Sequence, residues 1–431
     1  MIWVWITAAV IISWLFCKKG IRWYHYIWLL LPIEMYGVTI AGATLKPYML
    51  FGICIIAGNF IRNKTIRVPV AIIAVVFALI FSDFLTGFIV ASVMQHIMFI
   101  LVLMIGFCYQ NYQKNGVEFD EMGQAMLATT IGYGIVFTAV WLMFSFGIIA
   151  DEVYTSERLE PGIVLGLASF GGNISSRMRG FCIDPNSVIT TLIPGGAYAL
   201  ANIVYRKQDV AKSLLALASY LAVVIFSGSR MALVCTLALL VIFFVIGYRE
   251  ANNKRQVLAV GMTILGALLI GLISNIDAIT FEVTKTWASI FGERASLGSK
   301  YGRLTIWKTN VEYLIRNNKE LFGVGQNQIY LLTERGLACH NTWLEWICGT
   351  GIILGTAIDL WFIFAPMRFK KRTMGLGDEN AKKAIPLIMT YVIVAVCIST
   401  VDNITNSVLL FLMVILRYGT INQSMKMERV A

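Results

Sequence analysis

Long apolar runs dominate the chain, separated by short polar stretches in which lysine and arginine gather. Runs near 1 to 16, 26 to 45, 47 to 61, 68 to 82, 88 to 108, 122 to 149, 186 to 205, 213 to 226, 231 to 248, 256 to 275, 341 to 365, 384 to 401 and 407 to 417 each read as a membrane span. A helix crosses the bilayer with about 20 apolar residues, so the fold class expected is all-α, a polytopic transmembrane helical bundle of about 12–13 spans. The alternating pattern of an outer-membrane barrel is absent from the sequence. The organisation expected is N-terminal transmembrane helices over 1–150, a first outer loop over 151–185, central transmembrane helices over 186–275, a large outer loop over 276–340 and C-terminal transmembrane helices over 341–431.

Composition agrees with this pattern. Of 431 residues, 58% are hydrophobic and 14% charged, with a mean hydropathy of +0.74. A soluble globule carries about 25% charged residues. The net charge of +11 would suggest nucleic acid in a soluble domain; here the positive residues instead report orientation. Lys18, Lys19 and Arg22, then Arg62, Lys64 and Arg67, then Arg206, Lys207 and Lys212, then Arg249, Lys254 and Arg255, then Arg368, Lys370, Lys371, Arg372, Lys382 and Lys383 fall in alternate loops. The positive-inside rule places those loops in the cytoplasm and the N-terminus outside. No Lys or Arg precedes the first span and a basic cluster follows it, the reverse of a secretory signal peptide, so the first span is expected to stay as a helix.

The sizeable segments between spans, near 150–185 and 276–340, are where chemistry should lie. In the second, Leu304, Trp307, Val311, Leu314 and Ile315 recur at helical spacing against Lys308, Glu312, Arg316 and Lys319, the pattern of an amphipathic helix. Such a helix either lies on the membrane surface or packs over the spans. Leu321 to Gly325, LFGVG, then reads as a tight glycine turn.

Positive residues on the outer side work against the sorting rule, and four stand at conspicuous places. Arg177 and Arg179 precede Gly180 and Phe181 to Asn186, FCIDPN, in which Asp184, Pro185 and Asn186 form a helix-start signal. Arg230 closes the turn Ser227-Gly228-Ser229-Arg230, and Arg303 starts the amphipathic helix. A guanidinium offers five donors in a fixed fork suited to phosphate oxygens; singly, each reads first as a snorkelling or ion-paired residue, and it is the set of three or four on one face, with few acids near, that favours a diphosphate. His25 and His96 sit near or inside apolar segments, where packing explains them. His340 differs, lying in Ala338 to Glu345, ACHNTWLE, where the large outer loop meets the next span. An imidazole there can take a proton from a hydroxyl near neutral pH.

The eight cysteines show no metal-like spacing. Cys182 and Cys339 map to the outer face, as a disulfide or as two small apolar fillers. Glu34, Glu345 and Asp359 fall within expected spans; intramembrane carboxylates can mark an ion or substrate path, so a transporter or lipid-linked glycan flippase is a second class of reading. The outer-face gathering of arginines and the lack of repeat symmetry weigh against it.

Taken in order, Arg179-Gly180, Asp184-Pro185-Asn186, Ser227-Gly228-Ser229-Arg230, Gly302-Arg303 with Trp307, Phe322-Gly323-Val324-Gly325, and His340-Asn341-Thr342 with Glu345 resemble the O-antigen ligase and O-antigen polymerase superfamily. The resemblance runs from about 175 to 355 in collinear order. It implies a GT-C-like glycosyltransferase of the bacterial inner membrane, working on the periplasmic or extracellular face, with a glycan donor linked to undecaprenyl diphosphate and with neither metal nor other cofactor. The acceptor would be a second lipid-linked glycan for a polymerase, or lipid A-core for a ligase. A flippase and a chain-length regulator are partners in the first case, and nucleic acid in neither. Carried over by position, His340 resembles the catalytic base and Arg179, Arg230 and Arg303 the diphosphate-binding arginines; Arg177, Asp184, Asn186, Asn341 and Glu345 are supporting candidates.

Overall fold

The computed structural model describes residues 2–40, 43–64, 68–113, 116–146, 148, 153–154, 167–170, 173–176, 178–182, 185–227, 229–250, 254–255, 258–259, 303–333, 339–373, 378–401 and 403–419. Helices are α1 Ile2–Phe16, α2 Pro47–Asn63, α3 Val70–Leu85, α4 Val90–Tyr112, α5 Phe119–Ser145, α6 Pro185–Ala201, α7 Val210–Ser227, α8 Arg230–Glu250, α9 Arg303–Arg316, α10 Ile329–Leu332, α11 Thr342–Thr350, α12 Ile352–Ile363, α13 Ala365–Thr373, α14 Asp378–Cys397 and α15 Ser407–Tyr418. Among the described residues six helical stretches are long and apolar enough to cross a membrane, and four shorter apolar helices accompany them. The fold is a polytopic helical membrane bundle. Its strands are few and short: a hairpin of Val38–Ile40 with Ala43–Leu45, and Val153–Tyr154 beside the antiparallel pair Leu167–Phe170 and Asn173–Ser176.

The centre of the bundle is α6, buried along its length and packed on α5, α7 and α14. Small residues let its neighbours close in: a side chain at Gly195 would collide with Thr130, and one at Gly196 would press on the ring of Tyr220. Without a hydrophobic driving force between helices in lipid, close approach of this kind is a main source of packing energy.

The alternation of basic loops is visible at one end. Arg22 pairs with Glu118 and Glu121, Arg206 with Asp120, Lys383 lies 3.4 Å from the same Asp120, and Tyr205 donates to the carbonyl of Lys382 at 2.9 Å. Three of the basic clusters expected in the cytoplasm therefore meet at the start of α5. Burial acts to raise the Glu118 carboxyl, but bonds from His25 and Tyr24 and the charge of Arg22 outweigh it and hold the group below its ordinary range.

Two expected spans are corrected. Residues 26–45 do not form a helix: a 3-10 turn over Trp23–Leu29 gives way to an irregular stretch and then the hairpin. The stretch still joins the two ends of the bundle, since Arg22 lies beside Glu118 while the N–H groups of Glu34 and Met35 donate to the carbonyl of Phe181 at 3.2 and 3.0 Å. Non-helical backbone survives at such depth only inside protein, and Trp28, Leu29, Leu31 and Ile33 are all buried. The expected span 341–365 is broken at Gly351, φ +86°, into α11 and α12. The run 256–275 lies almost wholly outside the described residues.

The amphipathic helix forms as α9, with a different inner face from the one its pattern suggested. Ile306, Asn310 and Leu314 are buried, one turn apart, whereas Leu304 and Ile315 are 57% and 59% exposed. Leu314 joins Val324, Ile329, Cys339 and Cys348 in a small apolar cluster of its own. The helix thus packs over the spans and also leaves apolar side chains exposed.

Candidate active site

At the end of the bundle opposite the basic clusters, four chain segments meet around the C-terminal end of α14 and the loop after it. The first carries Arg179, which is buried; the N–H of Met178 donates to the carbonyl of Phe226 at 2.9 Å, which sets Arg179 beside the turn leading to Arg230. That turn is fixed from within. Ser229 receives the N–H of Ala232 at 3.1 Å and donates its hydroxyl to the Asn186 side chain, so Asn186 ties the start of α6 to the start of α8. Arg230 is the first residue of α8.

The second group is built on α9 and α11. The indole of Trp307 donates to the carbonyl of Cys339 at 2.9 Å, and the Asn310 amide to the Cys339 thiol at 3.2 Å, fastening α9 to the residue before His340. His340 is exposed and has φ +47°, a left-handed conformation seldom adopted by non-glycine residues; strain of this kind gathers at functional positions. Asn341 caps α11 by accepting the N–H groups of Trp343 and Leu344 at 3.0 and 3.2 Å. Glu345 is buried and accepts the N–H of Asn327 at 2.7 Å. Of the supporting candidates, Asn341 and Glu345 shape the backbone around His340, while Arg177 and Asp184 lie outside the described residues.

The two groups meet on residues 398–407. Arg303 donates to the carbonyl of Thr400 at 3.4 Å. Thr342 donates to the carbonyl of Val401 at 2.7 Å and accepts the N–H of Asn403 at 3.0 Å. Cys397, three residues before Thr400, lies with its sulfur 3.7 Å from that of Cys235, five residues after Arg230. Arg303 thus bonds this loop directly, His340 stands two residues before Thr342, which bonds it too, and α8, which begins with Arg230, meets its approach through Cys235.

Sequence reasoning missed that loop and its anchor. Glu34, buried, accepts bonds from the Asn403 amide at 3.2 Å and the Ser407 hydroxyl at 3.4 Å, while its own N–H reaches the carbonyl of Phe181, two residues after Arg179. Asn406 donates to Thr190 of α6 at 3.1 Å. Residues 402–407, DNITNS, are mostly polar where an apolar span resumes; that was the available signal, but no motif marked it.

Cys182 and Cys339 are not joined in a disulfide. Cys182 faces the carbonyl of Pro32 at 3.9 Å and Cys339 faces Cys348 at 3.8 Å, so the reading as small buried fillers holds. His25, Glu118 and Glu121 stand close enough together for a shared ion, yet the Arg22 guanidinium bonds both carboxylates and supplies the positive charge a cation would bring. Asp359 of α12 is buried, and its Oδ1 has no hydrogen-bond partner among the described residues.

Bundle and site together define a multi-pass membrane protein with a polar site at one end. Residues 215–358 match a family model described as O-antigen ligase, which supports the resemblance to the O-antigen ligase and polymerase superfamily over that segment. The matched segment contains Arg230, Arg303, His340, Asn341 and Glu345, but neither Arg179 nor Glu34. No curated protein matches the chain.

Proposed function

We propose that this protein is a glycosyltransferase of the bacterial cytoplasmic membrane that moves a glycan from undecaprenyl diphosphate to an acceptor hydroxyl on the outer face, polymerising O-antigen, capsule or exopolysaccharide repeat units. The observation that supports it is that Arg303 and Thr342, two places after His340, both bond residues 398–407, with the segment after Arg179 tied to the same loop through Glu34 and the helix begun by Arg230 meeting its approach, at the end of the bundle away from the basic clusters. A diphosphate-linked sugar already has an activated anomeric carbon. His340 takes the proton of the acceptor hydroxyl as its oxygen bonds to that carbon; the carbon–oxygen bond to the diphosphate breaks and the electron pair leaves with the phosphate. Guanidinium groups bind the leaving diphosphate as its charge grows. Such single displacement inverts the anomeric carbon.

The description of the matched family favours a second reading, a ligase delivering the glycan to lipid A-core. Incubating purified protein with a native lipid-linked repeat unit alone separates the two. A ladder of lengthening products that disappears in His340→Ala is the expected result. Transfer only after lipid A-core is added establishes the ligase, and translocation of the lipid in vesicles without a new glycosidic bond overturns both.

A further inference from the structure

His96 looked in the sequence like a packing residue within an apolar span; its surroundings say otherwise. The Asp83 carboxylate, at the end of α3, accepts the Ser92 hydroxyl on one oxygen at 3.0 Å and has its other oxygen 2.9 Å from Nδ1 of His96, one turn further along α4. Asp83 thereby bonds both Ser92 and His96 and ties the end of α3 to α4. Ser92 in turn accepts the backbone N–H of Gln326 at 3.0 Å. All four residues are buried. Nε2 of His96 has no hydrogen-bond partner among the described residues, and the bond to Asp83 is what the imidazole contributes there.

The same loop is gripped from its other side. Val324 and Gly325 donate to the carbonyls of Cys348 and Gly349 at 3.0 and 2.9 Å, and Asn327 to Glu345 at 2.7 Å. The His96 ring lies parallel to that of Trp346, centroids 6.3 Å apart, and Gly349, three residues on, leaves the space that the Gln326 side chain occupies. Residues 323–327 are thus clamped between α4 and α11, and they belong to the connection that runs from α9, which starts with Arg303, to α11, which follows His340.

We propose that Asp83, Ser92 and His96 are positioning residues of the outer-face site, setting the spacing between Arg303 and His340 by holding the loop that joins their helices. This rests on the transferase reading above. They lie outside the matched family segment. Misplacement of about 1 Å between binding and reacting groups costs on the order of a hundredfold in rate while leaving donor binding intact.

The test is Ser92→Ala, which removes one oxygen and leaves packing in place, with Asp83→Asn as a second variant. Hydrogen exchange on the purified protein reads the Gln326 amide, and steady-state kinetics read turnover. In Ser92→Ala, exchange over 321–328 should quicken at least about tenfold with α6 unchanged, and kcat should fall at least about tenfold while KM for the donor moves less than about threefold. Unchanged protection overturns the clamp. Quickened exchange with full turnover overturns the positioning role. A wild-type protein that transfers no glycan overturns the transferase reading and the catalytic half of the proposal with it, while exchange alone still decides whether the network holds the loop.

Discussion

Thr342 donates its hydroxyl hydrogen bond to the carbonyl of Val401 at 2.7 Å and accepts the N–H of Asn403 on the same oxygen at 3.0 Å. One hydroxyl therefore joins the residue two places after His340 to the loop that also receives Arg303. Thr342→Val keeps the shape and removes both bonds. Leaving such groups unpaired costs about 1–3 kcal/mol each in stability, so the unfolding midpoint of the variant should fall, and transfer, measured as kcat on the purified protein, should fall with it as the loop loses its tie to α11.

Arg303→Lys and Arg230→Lys keep the charge and lose the fork. If two donors of each guanidinium meet diphosphate oxygens, each variant should lower transfer about tenfold or more. Full activity in both would show that the site needs only point charges.

Glu34 joins the segment after Arg179 to the loop after α14. Glu34→Ala strands the Asn403 amide and the Ser407 hydroxyl, and should depress transfer more than Glu34→Gln, whose side-chain oxygen still accepts. Equal activity in the two variants would remove the hydrogen bonds as the reason for this residue.

Gly351, φ +86°, and Gly323, φ +72°, lie where the turn before α10 and the break between α11 and α12 come together; a Cβ on Gly351 would strike the carbonyl of Leu321, and one on Gly323 that of Gly349. The left-handed conformation alone costs an alanine about 1–2 kcal/mol, and the collisions add to it. Gly20→Ala is the control, since Gly20 has φ +89° and nothing within 4 Å. Unfolding midpoints should rank Gly351→Ala and Gly323→Ala well below Gly20→Ala.

Glu118 is held below its ordinary range by His25, Tyr24 and Arg22 despite burial. A carboxyl depressed on folding contributes stability above its unfolded pKa, near 4.3, and loses it as pH falls through the folded value. The wild type should therefore lose stability on acidification by more than Glu118→Gln does, in detergent unfolding below about pH 4.5.

Hydrophobic runs made most of the bundle legible, because length and apolarity alone dictate a span, and Lys and Arg placement showed which loops share a side. What escaped had physical reasons. The stretch after Trp23 is as apolar as a helix but is buried on all sides, so its hydropathy says nothing about its backbone. In α9, Leu304 and Ile315 counted toward an inner face that Ile306 and Asn310 occupy instead. The basic and imidazole candidates could be picked out because they fell outside the loops where the other basic residues gather, whereas Asn403, Ser407 and Thr342 are ordinary polar residues whose contacts exist only once distant segments meet. Asp83 and His96, thirteen positions apart, pair only after α3 and α4 turn back on each other.

The loop beneath Arg303 and His340 belongs to residues 398–407, and its anchor to residue 34, both beyond the segment matched to the family. Exchanging residues 215–358 between relatives would move a histidine and two arginines onto a floor shaped for another protein. A chimera that keeps its recipient's ends should therefore inherit the recipient's geometry, and a working transplant would have to carry the end of α14 and the stretch around Glu34 along with the segment itself.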